Sequence, residues 1–276
     1  MTDASRPPLV TLEGFNLTLG PRTLLHDISC SIEDRGVHVL LGPGGAGKST
    51  LLRVIAQAHF PAPPWRMTGR LDHHPPLAVR GPALMAQKER PGAPTLLEAL
   101  FPPADTRRPD AHDCAARLAQ MQALHVPTAA HVEPHLRTPV EALPPGILAL
   151  GLVAATFLQP TPLVCLDEPT TDVEGVIFDT ILALIEAQAG QRAVVLVTHH
   201  IGVARRLASK VTLLTQGLCV ASCDANAFFE HPPNVETGHY LRTGGLYLPL
   251  DERDAAATAA ALRRQLPSFP MPTRPA

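Results

Sequence analysis

Neither sign of charge dominates this chain: 23 Lys and Arg stand against 25 Asp and Glu, a net charge of −2. That balance argues against a general nucleic-acid binder. The five cysteines, at 30, 114, 165, 219 and 223, form no C-x-x-C pair, so reduced structural thiols are expected. No apolar run approaches the roughly 18 residues of a membrane span, and no signal-peptide pattern is present. A cytoplasmic protein is therefore expected, with any membrane role borrowed from a partner. There is no internal repeat. What the chain does have is 276 residues, 45% of them hydrophobic and 17% charged. That is enough for one large globular domain, or for a domain with a subdomain and a tail. Its 30 prolines are about twice the average share and punctuate the chain near 61–64, 75–76, 102–103, 144–145 and the C-terminus.

The chain is organised around Gly42-Pro43-Gly44-Gly45-Ala46-Gly47-Lys48-Ser49-Thr50, which fits the phosphate-loop pattern G-x-x-x-x-G-K-[ST]. A buried-strand run precedes it (residues 36–41) and a helical run follows (51–56), the context the motif requires. Its glycines let several backbone N–H groups converge on one anion, and the following helix adds its positive end. Lys48 would reach the β- and γ-phosphates, and the Ser49 hydroxyl would serve Mg²⁺. The plainer alternative is a flexible glycine loop before an ordinary helix.

Residues 9–19 alternate as a half-buried strand, Gly20-Pro21 turns the chain, and residues 23–32 return. Residues 60–87 are Pro-rich, with a strand expected at 67–71. Helical patterns at 95–101, 111–124 and 146–158, with no strand signal among them, make 88–159 a helical insert. Buried strands then alternate with helices: a strand at 162–166, a helix at 176–189, a strand at 193–197 and a helix at 201–208. A hairpin over 211–221 turns at Gln216-Gly217. This order predicts a mostly parallel sheet with ligands at the strand ends. An Ala-rich helix at 251–264 and a Pro-rich end follow.

Two strands deliver side chains to that edge. Leu163-Val164-Cys165-Leu166-Asp167-Glu168 is an apolar run ending in two carboxylates. Asp167 would hold Mg²⁺ through its water shell, and Glu168 would polarise the attacking water as a general base. A strand followed by a solvated acidic turn is the alternative. Val194-Val195-Leu196-Val197-Thr198-His199 ends in a histidine placed to reach the γ-phosphate or the water; a purely structural histidine is the alternative. Gln87, closing the run Met85-Ala86-Gln87, would touch Mg²⁺ or water.

In this order and spacing, the phosphate loop, Gln87, the helical insert, Leu-Asp-Glu-Pro and Thr-His resemble the ATP-binding subunits of ABC transporters. The resemblance covers about residues 9–246. It implies an α/β P-loop NTPase fold with a mostly parallel sheet, an antiparallel β subdomain and a helical subdomain. The implied domain is 1–246, with 247–276 a C-terminal helix and tail. It further implies ATP and Mg²⁺ as cofactors. The nucleotide would be held by residues 42–50, with catalysis by Glu168, His199, Lys48 and Gln87 and metal contacts from Ser49, Gln87 and Asp167. Implied partners are membrane permease subunits docked on the insert and a second ATPase subunit, in a homodimer or heterodimer, with no nucleic acid. The protein would sit peripherally at the inner face of the cell membrane. Residues 62–87 and 228–241 resemble the phosphate-importer branch, and 198–208 resembles tungstate importers. Import of a small oxyanion is the implied function. A non-transport or regulatory ATPase of the same type is the alternative.

Three departures stand out. Where the family carries Leu-Ser-Gly-Gly-Gln, which grips the partner subunit's γ-phosphate, this chain has Leu143-Pro144-Pro145-Gly146-Ile147. Pro144 brings no hydroxyl, and neither proline brings an N–H. The helix can survive because proline is tolerated in a first turn. The run that follows, Leu148-Ala149-Leu150-Gly151-Leu152, is apolar and suited to packing. The family's aromatic adenine platform falls at Leu19, which cannot stack as an aromatic ring does. The loop after Asp-Glu-Pro reads Thr171-Asp172-Val173-Glu174 in place of Ser-Ala-Leu-Asp.

Overall fold

Three short aliphatic runs make the centre of the molecule, and they are apolar at nearly every position because both of their faces are covered. The computed structural model describes residues 7–58, 64–75, 77, 80–86, 94–101, 110–248 and 255–265. In chain order its strands are β1 (Val10–Leu19), β2 (Arg22–Ile32), β3 (Gly36–Leu41), β4 (Trp65–His73), β5 (Ala83–Met85), β6 (Leu163–Asp167), β7 (Ala193–Thr198), β8 (Lys210–Thr215) and β9 (Leu218–Asp224). The helices are α1 (Lys48–Ile55), α2 (Leu96–Ala99), α3 (Ala111–Leu124), α4 (Val126–Val132), α5 (Pro145–Phe157), α6 (Gly175–Ala189), α7 (Ile201–Leu207), α8 (Ala225–Glu230), α9 (Val235–Thr243) and α10 (Ala255–Gln265).

The described residues form one nine-stranded sheet in the order β4-β1-β2-β9-β8-β3-β7-β6-β5. Its centre is parallel: β3 pairs with β7 and β8, β6 with β7, and β5 with β6. The outer part is antiparallel, β1 lying between β2 and β4. A single parallel bridge, His26 to Leu218, joins the two parts. The expected α/β fold with an antiparallel β subdomain and a helical subdomain is thus present, but the two kinds of strand share one continuous sheet.

Alternation along the central strands divides two cores. Val37, Val39, Val164, Leu166, Val194 and Leu196 join the core shared with α4, α5 and α6. Leu40, Leu163, Cys165, Val195 and Val197 join the core shared with α1 and the antiparallel strands. The helical insert has local causes. Thr95 and Asp110 close capping boxes with Glu98 and Asp113, which start α2 and α3. α5 begins on Pro145, tolerated there because a first-turn N–H has no intrahelical partner. Its apolar run is covered by this chain's own α2, α4, α6, β5 and β6. Gly151 lets α2 approach closely at that crossing, where a Cβ would stand 2.7 Å from Leu96 Cδ1 and oblige that side chain to shift. α4 was not expected from the sequence pattern, and α2 is shorter than the helix expected over 95–101. Beyond the central fold, α10 lies against β2 and β9 and buries Ala259 and Leu262. Among the described residues no cysteine is bridged; Cys30, Cys165 and Cys219 are buried, and burial pushes the Cys30 thiol up to about 12.

One buried polar group sets a pH limit on the fold. His38 is 4% exposed, with Nε2 at 2.7 Å from Thr212 Oγ1 and Nδ1 unsatisfied. Burial, then the Lys210 charge, lower its pKa from 6.5 to about 3. Below pH 6.5 the unfolded chain therefore binds a proton that the native state refuses, and stability falls with pH down to about 3. At pH 5 this costs about 2 kcal/mol. Thermal melts of the wild type and His38→Gln at pH 7.5 and pH 5 should show the wild type losing about 4–8 °C relative to the variant. Parallel pH dependence of the two melts would show that His38 is not the cause.

Candidate functional site

The central strands end level with one another, and this gathers the site. Leu41 pairs with Thr198, and Asp167 pairs with Val197, so the segments after β3, β6 and β7 emerge side by side. The phosphate loop follows β3 and runs into α1. Its N-cap is Gly47 at φ 97°, no side chain caps the helix, and no acidic residue occupies the first turn. The first-turn N–H groups are thus left for an anion. Gly42, at φ 147°, allows a close approach: a Cβ there would stand 2.1 Å from the Leu214 carbonyl oxygen. The turn between β8 and β9 also supports the loop, because the Gly217 N–H donates to the Ala46 carbonyl at 3.0 Å.

Lys48 is 5% exposed, and its Nζ donates to the Gly42 and Pro43 carbonyls, each at 2.8 Å. Burial lowers its pKa, and Glu168 and Asp167 act in the opposite direction. The ammonium is therefore held over the loop, beside two carboxylates. Ser49 Oγ donates to Asp167 Oδ1 at 3.0 Å. A hydroxyl and a carboxylate side by side suit Mg²⁺, which usually takes one or two protein oxygens and completes its shell with water and phosphate. Among the described residues no cluster of three His, Cys, Asp or Glu forms a self-sufficient metal cage.

Glu168 follows directly, in the left-handed region at φ 48°, uncommon for a residue with a side chain. Its N–H donates to the Val197 carbonyl at 3.1 Å, which ties the turn to β7. Thr171 Oγ1 donates to Oε2 at 3.2 Å, and His199 Nδ1 lies 3.2 Å from Oε1. His199 is the more open of that pair, with its side chain 45% exposed against 16% for Glu168. His200 is exposed as well; burial, then His199, lower its pKa, with Glu168 opposing. A cleft of about 720 Å³ opens beside the pair. Among its lining residues are the 170–174 loop, Phe178, His199 and Arg206.

Lys48, Ser49, Asp167, Glu168 and His199 are thus brought together from three strand ends. Gln87 lies outside the described residues; β5 ends at Met85, paired with Leu166 one residue before Asp167. Leu19 is 37% exposed at the end of β1. Pro144 is the uncapped N-cap of α5, and a Cβ on Gly146 would stand 3.3 Å from Ile177 Cγ2. Thr171 was not singled out from sequence as a support for Glu168. Its place three residues after a carboxylate in a tight turn is the signal that was available.

Fold and loop together define an α/β P-loop protein equipped for a nucleotide's phosphates. The model of the family described as ABC transporter matches residues 25–171, more than half of the chain. The chain belongs to that family, as an ATP-binding domain. It is 32% identical over 223 residues to the zinc import ATP-binding protein ZnuC of Yersinia pestis, covering 77% of this chain and 78% of that protein. To the thiamine import ATP-binding protein ThiQ of Vibrio vulnificus strain YJ016 it is 32% identical over 216 residues, covering 74% and 88%. The phosphate import ATP-binding protein PstB 1 of Vibrio parahaemolyticus is 27% identical over 248 residues, covering 84% and 89%. Among solved structures, the ADP conformation of an ATP-binding cassette of an ABC transporter superposes with a TM-score of 0.64 at 17% identity, covering 85% of this chain and 99% of that one. An Atm1-family exporter with ATP bound gives 0.65 at 18%, covering 86% and 42%.

The loop's geometry separates two glycines. Gly42→Ala forces a methyl against the Leu214 carbonyl and should cost about 1–3 kcal/mol, lowering the melting temperature by several degrees. At Gly44 an added Cβ meets nothing within 4 Å, so Gly44→Ala should melt within about 1–2 °C of the wild type. Equal melting of the two variants would contradict this account of the loop.

Proposed function

We propose that this chain binds and hydrolyses ATP as the nucleotide-binding subunit of an ABC importer, driving a separate membrane permease that carries a small oxyanion such as phosphate or tungstate. The observation that supports the ATPase part most directly is the meeting, at one sheet edge, of the buried Lys48, the Ser49–Asp167 pair and the Glu168–His199 pair. Lys48 and the N–H groups of the 42–50 loop would hold the triphosphate, and Ser49 and Asp167, with Gln87 as the sequence pattern suggests, would hold Mg²⁺. When bound, Mg²⁺ neutralises charge on the β- and γ-phosphates. Glu168 accepts the proton of the attacking water through Oε1 or Oε2. His199 and Thr171 fix that carboxylate, and the more exposed His199 ring would be free to contact the γ-phosphate. The permease would dock on the helical subdomain. Among the described residues no helix is long and apolar enough to cross a membrane, in keeping with a separate permease.

Import is supported by relatives whose names describe import of zinc, thiamine and phosphate. The oxyanion rests on the phosphate-importer-like residues 62–87 and 228–241, and on the phosphate relative's coverage of 84% of the chain. Loss of the gene should abolish energy-dependent uptake of labelled phosphate or tungstate and leave zinc and thiamine uptake intact; the opposite pattern would overturn the solute assignment.

The Pro144-Pro145 start of α5 supports a second element, pairing with a different ATPase subunit. The segment keeps the Gly146 and Ile147 N–H groups but no hydroxyl, and one or two lost charge-assisted hydrogen bonds would weaken a closed homodimer by roughly 2–6 kcal/mol. Purified alone, the chain should hydrolyse ATP slowly, faster with its co-purified partner, and not at all as Glu168→Gln. Full turnover by the isolated homodimer would remove the case for asymmetric pairing.

A further inference from the structure

We propose that Tyr240, on α9, is a positioning residue for the phosphate loop: its buried hydroxyl receives the Gly42 N–H when the loop closes on a nucleotide's phosphates; this rests on reading the 42–50 loop as a nucleotide site. Two side chains make the face that α9 turns to the core. Thr237 and Tyr240 are the buried residues of that helix, both 0% exposed, and a spacing of three puts them on one side. Both carry hydroxyls, and among the described residues neither hydroxyl has a hydrogen-bond partner. A buried polar atom left unpaired is costly, and an apolar side chain of the same shape would avoid the cost.

α9 is held at both ends, so the place of Tyr240 is fixed. Asn234 Oδ1 accepts the Thr237 N–H at 2.8 Å, and Asn234 Nδ2 donates to the Val220 carbonyl of β9 at 2.8 Å. Past the helix, Thr215 Oγ1 donates to the Leu246 carbonyl at 2.9 Å, and the Leu248 N–H donates to Gln216 Oε1 at 2.8 Å. These contacts seat α9 against β9 and the β8–β9 turn, whose Gly217 N–H holds Ala46 of the loop. Tyr240 is buried in one cluster with Leu213 and with Leu41, the last residue of β3. Its phenolic oxygen faces the next residue, Gly42. Burial pushes the phenol up to about 12, and the Gly42 backbone acts the other way. That opposing direction is the effect of an N–H, which favours the phenolate. The approach stops short of a hydrogen bond.

The loop itself supplies the reason. Gly42 is hemmed in on one side by the Leu214 carbonyl, and its own carbonyl accepts the Lys48 ammonium at 2.8 Å, as does that of Pro43. A bound triphosphate competes for that ammonium. Once Lys48 turns to the anion, the Gly42 segment is released from it and settles against Tyr240, completing the hydrogen bond. The cost of the unpaired hydroxyl is thus relieved only in the phosphate-bound loop, which raises affinity for phosphate.

Tyr240→Phe removes one oxygen and keeps the ring. The ligand-free variant should melt within about 2 °C of the wild type or above it. By calorimetry its affinity for Mg-ATP and for Mg-tripolyphosphate should fall alike, about three- to tenfold. Thr237→Val, which removes the other unpaired hydroxyl, should stay within about twofold for both ligands. Tyr240 is one of the chain's two tyrosines, so Tyr247→Phe leaves it alone. Mg-tripolyphosphate, which has no ring to absorb light, should then shift the tyrosine absorbance, and the shift should vanish in Tyr240→Phe/Tyr247→Phe. Unchanged affinity in Tyr240→Phe, an equal fall in Thr237→Val, a large fall in melting temperature, or no tyrosine shift would each overturn the role of the hydroxyl while leaving the loop as a nucleotide site. A wild type that binds neither ligand would overturn the nucleotide reading, and this role with it.

Discussion

The parallel registration of β3, β7 and β6 is the constraint on which the site depends. Leu41 with Thr198, and Asp167 with Val197, bring three chain segments to one level. A strand's side-chain period is two, so a slip of one residue would put Leu166 or Glu168 where Asp167 stands and turn every side chain of the strand to the opposite face. The register is protected because both faces of these strands are buried, and a slip would exchange the occupants of two different cores. Packing that stabilises the fold thereby also sets the distances between Lys48, Ser49, Asp167 and Glu168.

The phosphate loop depends on parts far along the chain. Gly217 donates to Ala46, and the Leu214 carbonyl lies where Gly42 can have no Cβ. The same β8–β9 turn is held from behind: Thr215 Oγ1 donates to the Leu246 carbonyl, and Gln216 Oε1 accepts the Leu248 N–H. Tyr240 is fully buried, and its pKa is pushed up to about 12 by that burial, with the Gly42 backbone acting the other way. The residues after β9 therefore complete the floor under the loop.

The central strands, the phosphate loop and the strand-end carboxylates were legible in the sequence because each follows from local pattern: continuous aliphatic runs, glycines at fixed spacing, polar residues where an apolar run stops. What was not legible depends on contacts distant in sequence. α4 is a seven-residue helix with Pro127 in its first turn, too short to carry a helical period. The Ala-rich α10 reads as helical, but its place against β2 and β9 depends on Ala259 and Leu262 finding a surface formed some 40 to 230 residues earlier. The pairing of Leu19 with Trp65 needs the β1–β4 register, which a break between Glu13 and Asn16 shifts, so spacing alone would not align it.

The altered helix start at Pro144 also takes on a different meaning in the fold. The apolar run of α5, suited to packing as read from sequence, is covered by α2, α4, α6, β5 and β6 of the same chain. What remains at its N-terminus is a short polar end: the Gly146 and Ile147 N–H groups, with no side chain to cap them. Gly146 is wedged against Val173 and Ile177, the loop and helix that follow Glu168. The helix start is therefore packed against the 170–174 loop, whose Thr171 holds the Glu168 carboxylate.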